Sequence, residues 1–158
     1  MHPIALLVSS IVFALVMTIP TPIGVAAAPP EPVASSRDFS AGEVCAFPVR
    51  VEYTGKQKHI DVPGGSAIVT GPRVHATVTN LDTGRQVSWS LTGAIHLSPL
   101  SADTTEVVFT GRNLLFFHST KEWLLLRGRF RVVIDATGAV VEPLSGNGQQ
   151  TPVCPLLA

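Results

Sequence analysis

Apolar and polar positions alternate along most of the chain from residue 45 onward. The clearest stretch is 104–135. Over 124–134 the even positions are Leu124, Leu126, Gly128, Phe130, Val132 and Ile134, while Arg127, Arg129 and Arg131 hold odd positions between them. A period of two lets a strand bury one face and wet the other. Upstream, Val107, Phe109, Leu115 and Phe117 share a face. With a turn around His118-Ser119-Thr120-Lys121, this predicts a long β-hairpin.

The same rhythm places the other strands. Cys45, Phe47, Val49, Val51 and Tyr53 alternate with Ala46, Pro48, Arg50 and Glu52, with Pro48 on the outward register of an edge or bulge. Gly55 then predicts a turn, 58–62 a short strand, Pro63-Gly64-Gly65 another turn, and 67–69 a stub stopped by Gly71-Pro72. Val74, Ala76 and Val78 lead through the loop Asn80-Leu81-Asp82-Thr83-Gly84 into a strand over 87–97. A last strand is expected over 139–144, followed by a polar, Gly-rich stretch over 145–151.

No segment of about a dozen residues shows helical spacing after the N-terminal region. The prediction is an all-β domain over 43–158. It is an antiparallel up-and-down meander of seven or eight strands closing into a small barrel, with a two-sheet β-sandwich as the alternative. Hairpin-linked strands favour the barrel, because Greek-key sandwiches need a long crossover.

The first residues read as an address. From Pro3 to Pro30 there is no charged side chain, and the apolar run over 4–19 ends at Pro20 and Pro22. Val25-Ala26-Ala27 offers the small residues of a signal-peptidase site, so 1–27 reads as a secretory signal peptide and the protein as secreted. The amino-terminal part of that segment holds His2 but no Lys or Arg, and an uncleaved membrane anchor is the alternative. Residues 28–42, rich in Pro, Ala and Ser, read as a flexible leader.

Composition narrows the functional classes. The 158 residues are 46% hydrophobic and 14% charged, enough for one core. Eleven basic and eleven acidic residues give a formal net charge of zero, which argues against nucleic acid as a partner. The two cysteines, Cys45 and Cys154, bracket every predicted strand. In an exported chain they predict one disulfide tying the ends of the domain together.

The run Cys45-Ala46-Phe47-Pro48-Val49, the turn over 80–84, Gly111-Arg112-Asn113, Gly128-Arg129 and the late Cys154 together resemble a group of small secreted actinobacterial β-proteins. The resemblance covers residue 45 onward and implies a shared fold without an activity. At the level of architecture the chain is also similar to calycin-like barrels such as lipocalins and the allene oxide cyclase and dirigent group, an analogy that implies no chemistry by itself.

Candidate chemistry is sparse. His59, His75 and His96 fall on outward positions of separate strands, and none forms a metal-ligand motif, so no metal or cofactor is expected. There is no GxSxG elbow and no Gly-rich phosphate loop before a helix. Arg127, Arg129 and Arg131 form a basic stripe, read either as an anion-binding face or as a solvated outer face. Around the hairpin tip, Leu114-Leu115-Phe116-Phe117 and Trp123-Leu124-Leu125-Leu126 break the alternation and make both faces apolar. Either other segments cover one face, or Phe116, Phe117, Trp123 and Leu125 form a surface for an apolar small molecule, a partner or a second copy. Tyr53 and Asn113 are the main polar residues on inward positions and mark a candidate ligand site. The leading expectation is a non-catalytic binding domain. The alternatives are a barrel enzyme of cyclase or isomerase type acting on a hydrophobic substrate, and a structural or envelope-associated protein.

Overall fold

A computed structural model describes residues 28–117 and 120–158. They form nine strands: β1 Glu31–Phe39, β2 Val49–Val62, β3 Ser66–Thr70, β4 Val74–Asn80, β5 Gln86–Leu91, β6 Ala94–Pro99, β7 Thr104–Phe117, β8 Glu122–Asp135 and β9 Val140–Pro152. A 3-10 turn at Cys154–Leu156 follows. Every pairing is antiparallel. Among the described residues no helix is long and apolar enough to cross a membrane. The predicted signal peptide, and His118 and Ser119 of the predicted turn, lie outside the described residues.

The path through the sheet is β5-β4-β2-β3-β6-β7-β8-β9, with β1 pairing the first half of β2. That order is a meander of bent strands. β2 pairs β4 along its first half and β3 along its second, while β3 pairs β6 and β4 pairs β5. Residues 66–80 and 86–99 are therefore two long strands, each broken once, at Gly71-Pro72-Arg73 and at Thr92-Gly93. β2 bends at Gly55, where φ is 126° and a Cβ would stand 2.0 Å from the Arg73 carbonyl oxygen. Only glycine fits such a backbone at so close an approach. The turn expected at Gly55 is thus a bend inside one continuous strand.

Two further expectations are corrected. The stretch read as a flexible leader contains β1, which pairs with β2 from Glu31↔Gln57 to Phe39↔Val49. The polar stretch after residue 144 is the second half of β9, paired with β8 as far as Leu124↔Pro152. Nine strands replace the expected seven or eight, and the sheet is not closed: this pairing does not join β5 to β9.

The β7–β8 hairpin separates two apolar clusters. One face presents Leu114, Phe116, Trp123 and Leu125 to a core built on Val49, Val51, Val78, Val153 and Leu157. The other face carries Val107, Phe109, Leu126, Phe130 and Val132, with Leu115, Phe117 and Leu124 packed beside them. This is why alternation fails at the tip: each side of the hairpin has its own core.

Cys45 and Cys154 are joined in a disulfide with Cα atoms 5.5 Å apart and 109 residues between them in sequence. The C-terminal tail is held further by Asn80, buried to 2% exposure, whose Nδ2 donates to the Leu157 carbonyl at 3.0 Å. The Asn80 side-chain oxygen accepts from the Asp82 and Thr83 N–H groups, so one residue shapes the β4–β5 turn and anchors the tail.

Candidate functional site

A cleft opens where β1 and β2 approach the bent junctions of the sheet and β7. Its inner hollow measures about 270 Å³, and its wall includes Val33, Tyr53, Leu91, Asn113 and Leu114. A second hollow of about 350 Å³ continues past Arg37 and Phe39 to Phe116 and Trp123. The two share Ser35, Tyr53 and Leu114, so Tyr53 stands at their junction. Each is close to the lower end of the roughly 300–1,000 Å³ of small-molecule pockets.

The inner end of the cleft is made by close backbone crossing. A Cβ on Gly93 would lie 2.4 Å from Asn113 Nδ2 and 2.5 Å from the Thr110 carbonyl oxygen. Gly111, with φ 76°, faces Gly93 there. The Gly93 N–H donates to the Arg112 carbonyl at 3.0 Å, which ties the β5–β6 break to β7. Asn113, exposed to 7%, donates from Nδ2 to the Thr110 carbonyl at 2.9 Å. Its side-chain carbonyl accepts no hydrogen bond from a described residue and is not sealed from solvent. The Tyr53 hydroxyl also has no hydrogen-bond partner among the described residues. Burial pushes the Tyr53 phenol above its ordinary range, so it stays protonated and able to donate. The inner hollow therefore offers the Tyr53 donor and the Asn113 acceptor, with the exposed Ser35 and Gln57 side chains at its β1–β2 margin, in otherwise apolar walls.

At the outer end, Phe39 packs on Phe116 and Trp123 with ring centroids 6.1 and 6.2 Å apart. The Arg37 guanidinium sits 4.5 Å above the Phe39 ring. Arg37 and Phe39 both belong to β1, so this wall exists because β1 is ordered.

Of the candidate residues, Tyr53 and Asn113 lie on the inner hollow, and Phe116 and Trp123 on the outer one. Leu125 packs against the same core without lining either hollow, and Phe117 belongs to the opposite face of the hairpin. The sequence reading missed Val33, Ser35, Arg37 and Phe39, because it left β1 out of the fold. His59 and His75 are exposed and His96 half-buried, and no metal-ligating cluster of three side chains occurs among the described residues. In the basic stripe Arg131 is engaged, at 2.8 Å from Glu106 and 2.9 Å from Glu142. The chain matches no known protein family, no curated protein and no solved structure.

Proposed function

We propose that this is an exported, non-catalytic binding domain that holds the apolar part of a small molecule in the cleft between β1–β2 and β7–β8. The observation that carries the reading is the pair of polar groups without partners among the described residues, the Tyr53 hydroxyl and the Asn113 side-chain carbonyl, in mainly apolar walls. Pockets of this kind use few polar groups to orient a ligand and apolar area to retain it. A cyclase or isomerase would require proton-transfer groups at the substrate. Tyr53 is the one titratable residue on the inner hollow, and burial keeps its phenol protonated, so it is not present as a base.

The test is titration with N-phenyl-1-naphthylamine, a neutral apolar dye that fluoresces on leaving water. The expected result is saturable binding of one dye per chain. Ser35 is exposed on β1 and borders both hollows, so Ser35→Phe should fill them and abolish binding while circular dichroism and the melting temperature hold. Binding that does not saturate, or that survives Ser35→Phe unchanged, overturns the proposal.

A further inference from the structure

The polar end of the ligand can be read from the same hairpin face that lines the cleft. β7 and β8 pair Phe116↔Trp123, Leu114↔Leu125, Arg112↔Arg127 and Thr110↔Arg129 in unbroken register, and alternation puts all these side chains on one face. Leu114 lines both hollows. Two residues further along, roughly 7 Å by strand geometry, the face changes from apolar to basic.

This basic segment lacks the compensation found beside it. Arg131 is clamped by Glu106 and Glu142, whereas Arg112, Arg127 and Arg129 form no ion pair among the described residues. The residues of β9 paired with Arg127 and Arg129 are Gln149 and Asn147, both neutral. Arg112 and Arg127 stand directly opposite each other across the ladder and repel, and no carboxylate pairs with either among the described residues. Arg112 is also positioned, its Nη1 donating to the Ser90 carbonyl at 3.4 Å, next to Leu91 on the cleft wall.

We infer that the ligand is an anionic amphiphile: its hydrocarbon part lies in the cleft against Leu114 and Tyr53, and its carboxylate, phosphate or sulfate head is held between Arg112 and Arg127. This rests on the cleft reading. The guanidinium fork matches such oxyanions through paired, charge-assisted hydrogen bonds. An anion there also relieves the repulsion between the two arginines.

The experiment compares decanoate, decyl phosphate, 1-decanol and inorganic phosphate on the full chain by calorimetry, below micelle-forming concentrations. Decanoate and decyl phosphate should bind about tenfold or more tightly than 1-decanol, and inorganic phosphate far more weakly than decyl phosphate. Raising the salt from about 0.01 M to about 1 M should remove that advantage. This salt test needs no variant. In Arg112→Gln/Arg127→Gln, checked for folding by circular dichroism, the two anions should fall to the level of 1-decanol. Equal binding of 1-decanol and decanoate by the unaltered chain overturns the headgroup assignment and leaves the cleft reading intact. Inorganic phosphate binding as tightly as decyl phosphate overturns it too, showing an anion site without a tail. No binding of any decyl compound overturns the cleft reading itself.

Discussion

At the scale of single residues, the cleft depends on one glycine and one tyrosine. Gly93 lets β7 approach so closely that any larger side chain meets Asn113 and two carbonyl oxygens. Gly93→Ala should cost about 2–3 kcal/mol, in the range of overpacked sites, and loosen the Asn113 to Thr110 hydrogen bond. Urea unfolding monitored by tryptophan emission checks the magnitude. Tyr53 is the single tyrosine of the chain, so its titration is directly visible in the ultraviolet. Its pKa is raised by burial from the ordinary 10.0, so the folded state prefers the neutral phenol. That preference is fully present below pH 10.0 and is lost as pH rises through the folded pKa, because the unfolded chain ionises first. Stability measured against pH should fall on the alkaline side, and Tyr53→Phe should flatten that fall.

At the scale of strands, β1 turns an exposed sheet margin into the wall of a site. It is polar and mostly exposed, with only Val33 and Phe39 half-buried. Its register is marked by a two-point contact, Arg50 donating to both Asp38 oxygens at 2.7 and 2.8 Å, an exposed pair that adds little stability. Phe39 matters more, since it covers Phe116 and Trp123. Phe39→Ala should cost about 2 kcal/mol, less than the ~3–5 of a fully buried phenylalanine, and shift tryptophan emission to the red. Unfolding curves and emission spectra of the variant test both.

The same strand shows where sequence patterning stops. The part of the β7–β8 hairpin away from its tip was legible because a core on one face enforces alternation there, and the 74–80 and 86–91 pair for the same reason. β1 and the far half of β9 pair through backbone groups and bury little side chain, so their sequences carry no periodic signal. The doubly apolar tip was legible as an anomaly, though not as the divider between two cores. Tyr53 and Asn113 were singled out as candidates by parity alone. Their convergence was not legible, because it depends on bends at Gly55 and Gly93 that no two-residue rhythm encodes.

At the scale of the whole molecule, an open sheet has to be fastened, and Cys45–Cys154 fastens the segment before β2 to the tail after β9. Closing a loop of 109 residues stabilises by about 4 to 5 kcal/mol on the chain-entropy argument. Cys45→Ser/Cys154→Ser should lower the unfolding free energy by about that amount, which guanidinium titration of oxidised and variant chains measures. The loss should be larger than that of any single apolar truncation described above, because Val44, Val153 and Leu157 are buried around the bridge.

β2 belongs to both parts of the sheet, pairing β4 before its bend, β3 after it, and β1 from residue 49 across the bend to residue 57. Taking that strand away unpairs β1 and strips β3 and β4 of one neighbour each, while the ladders joining β6 to β9 stay intact. A ligand gripping the cleft through Tyr53 would therefore steady three other strands along with β2.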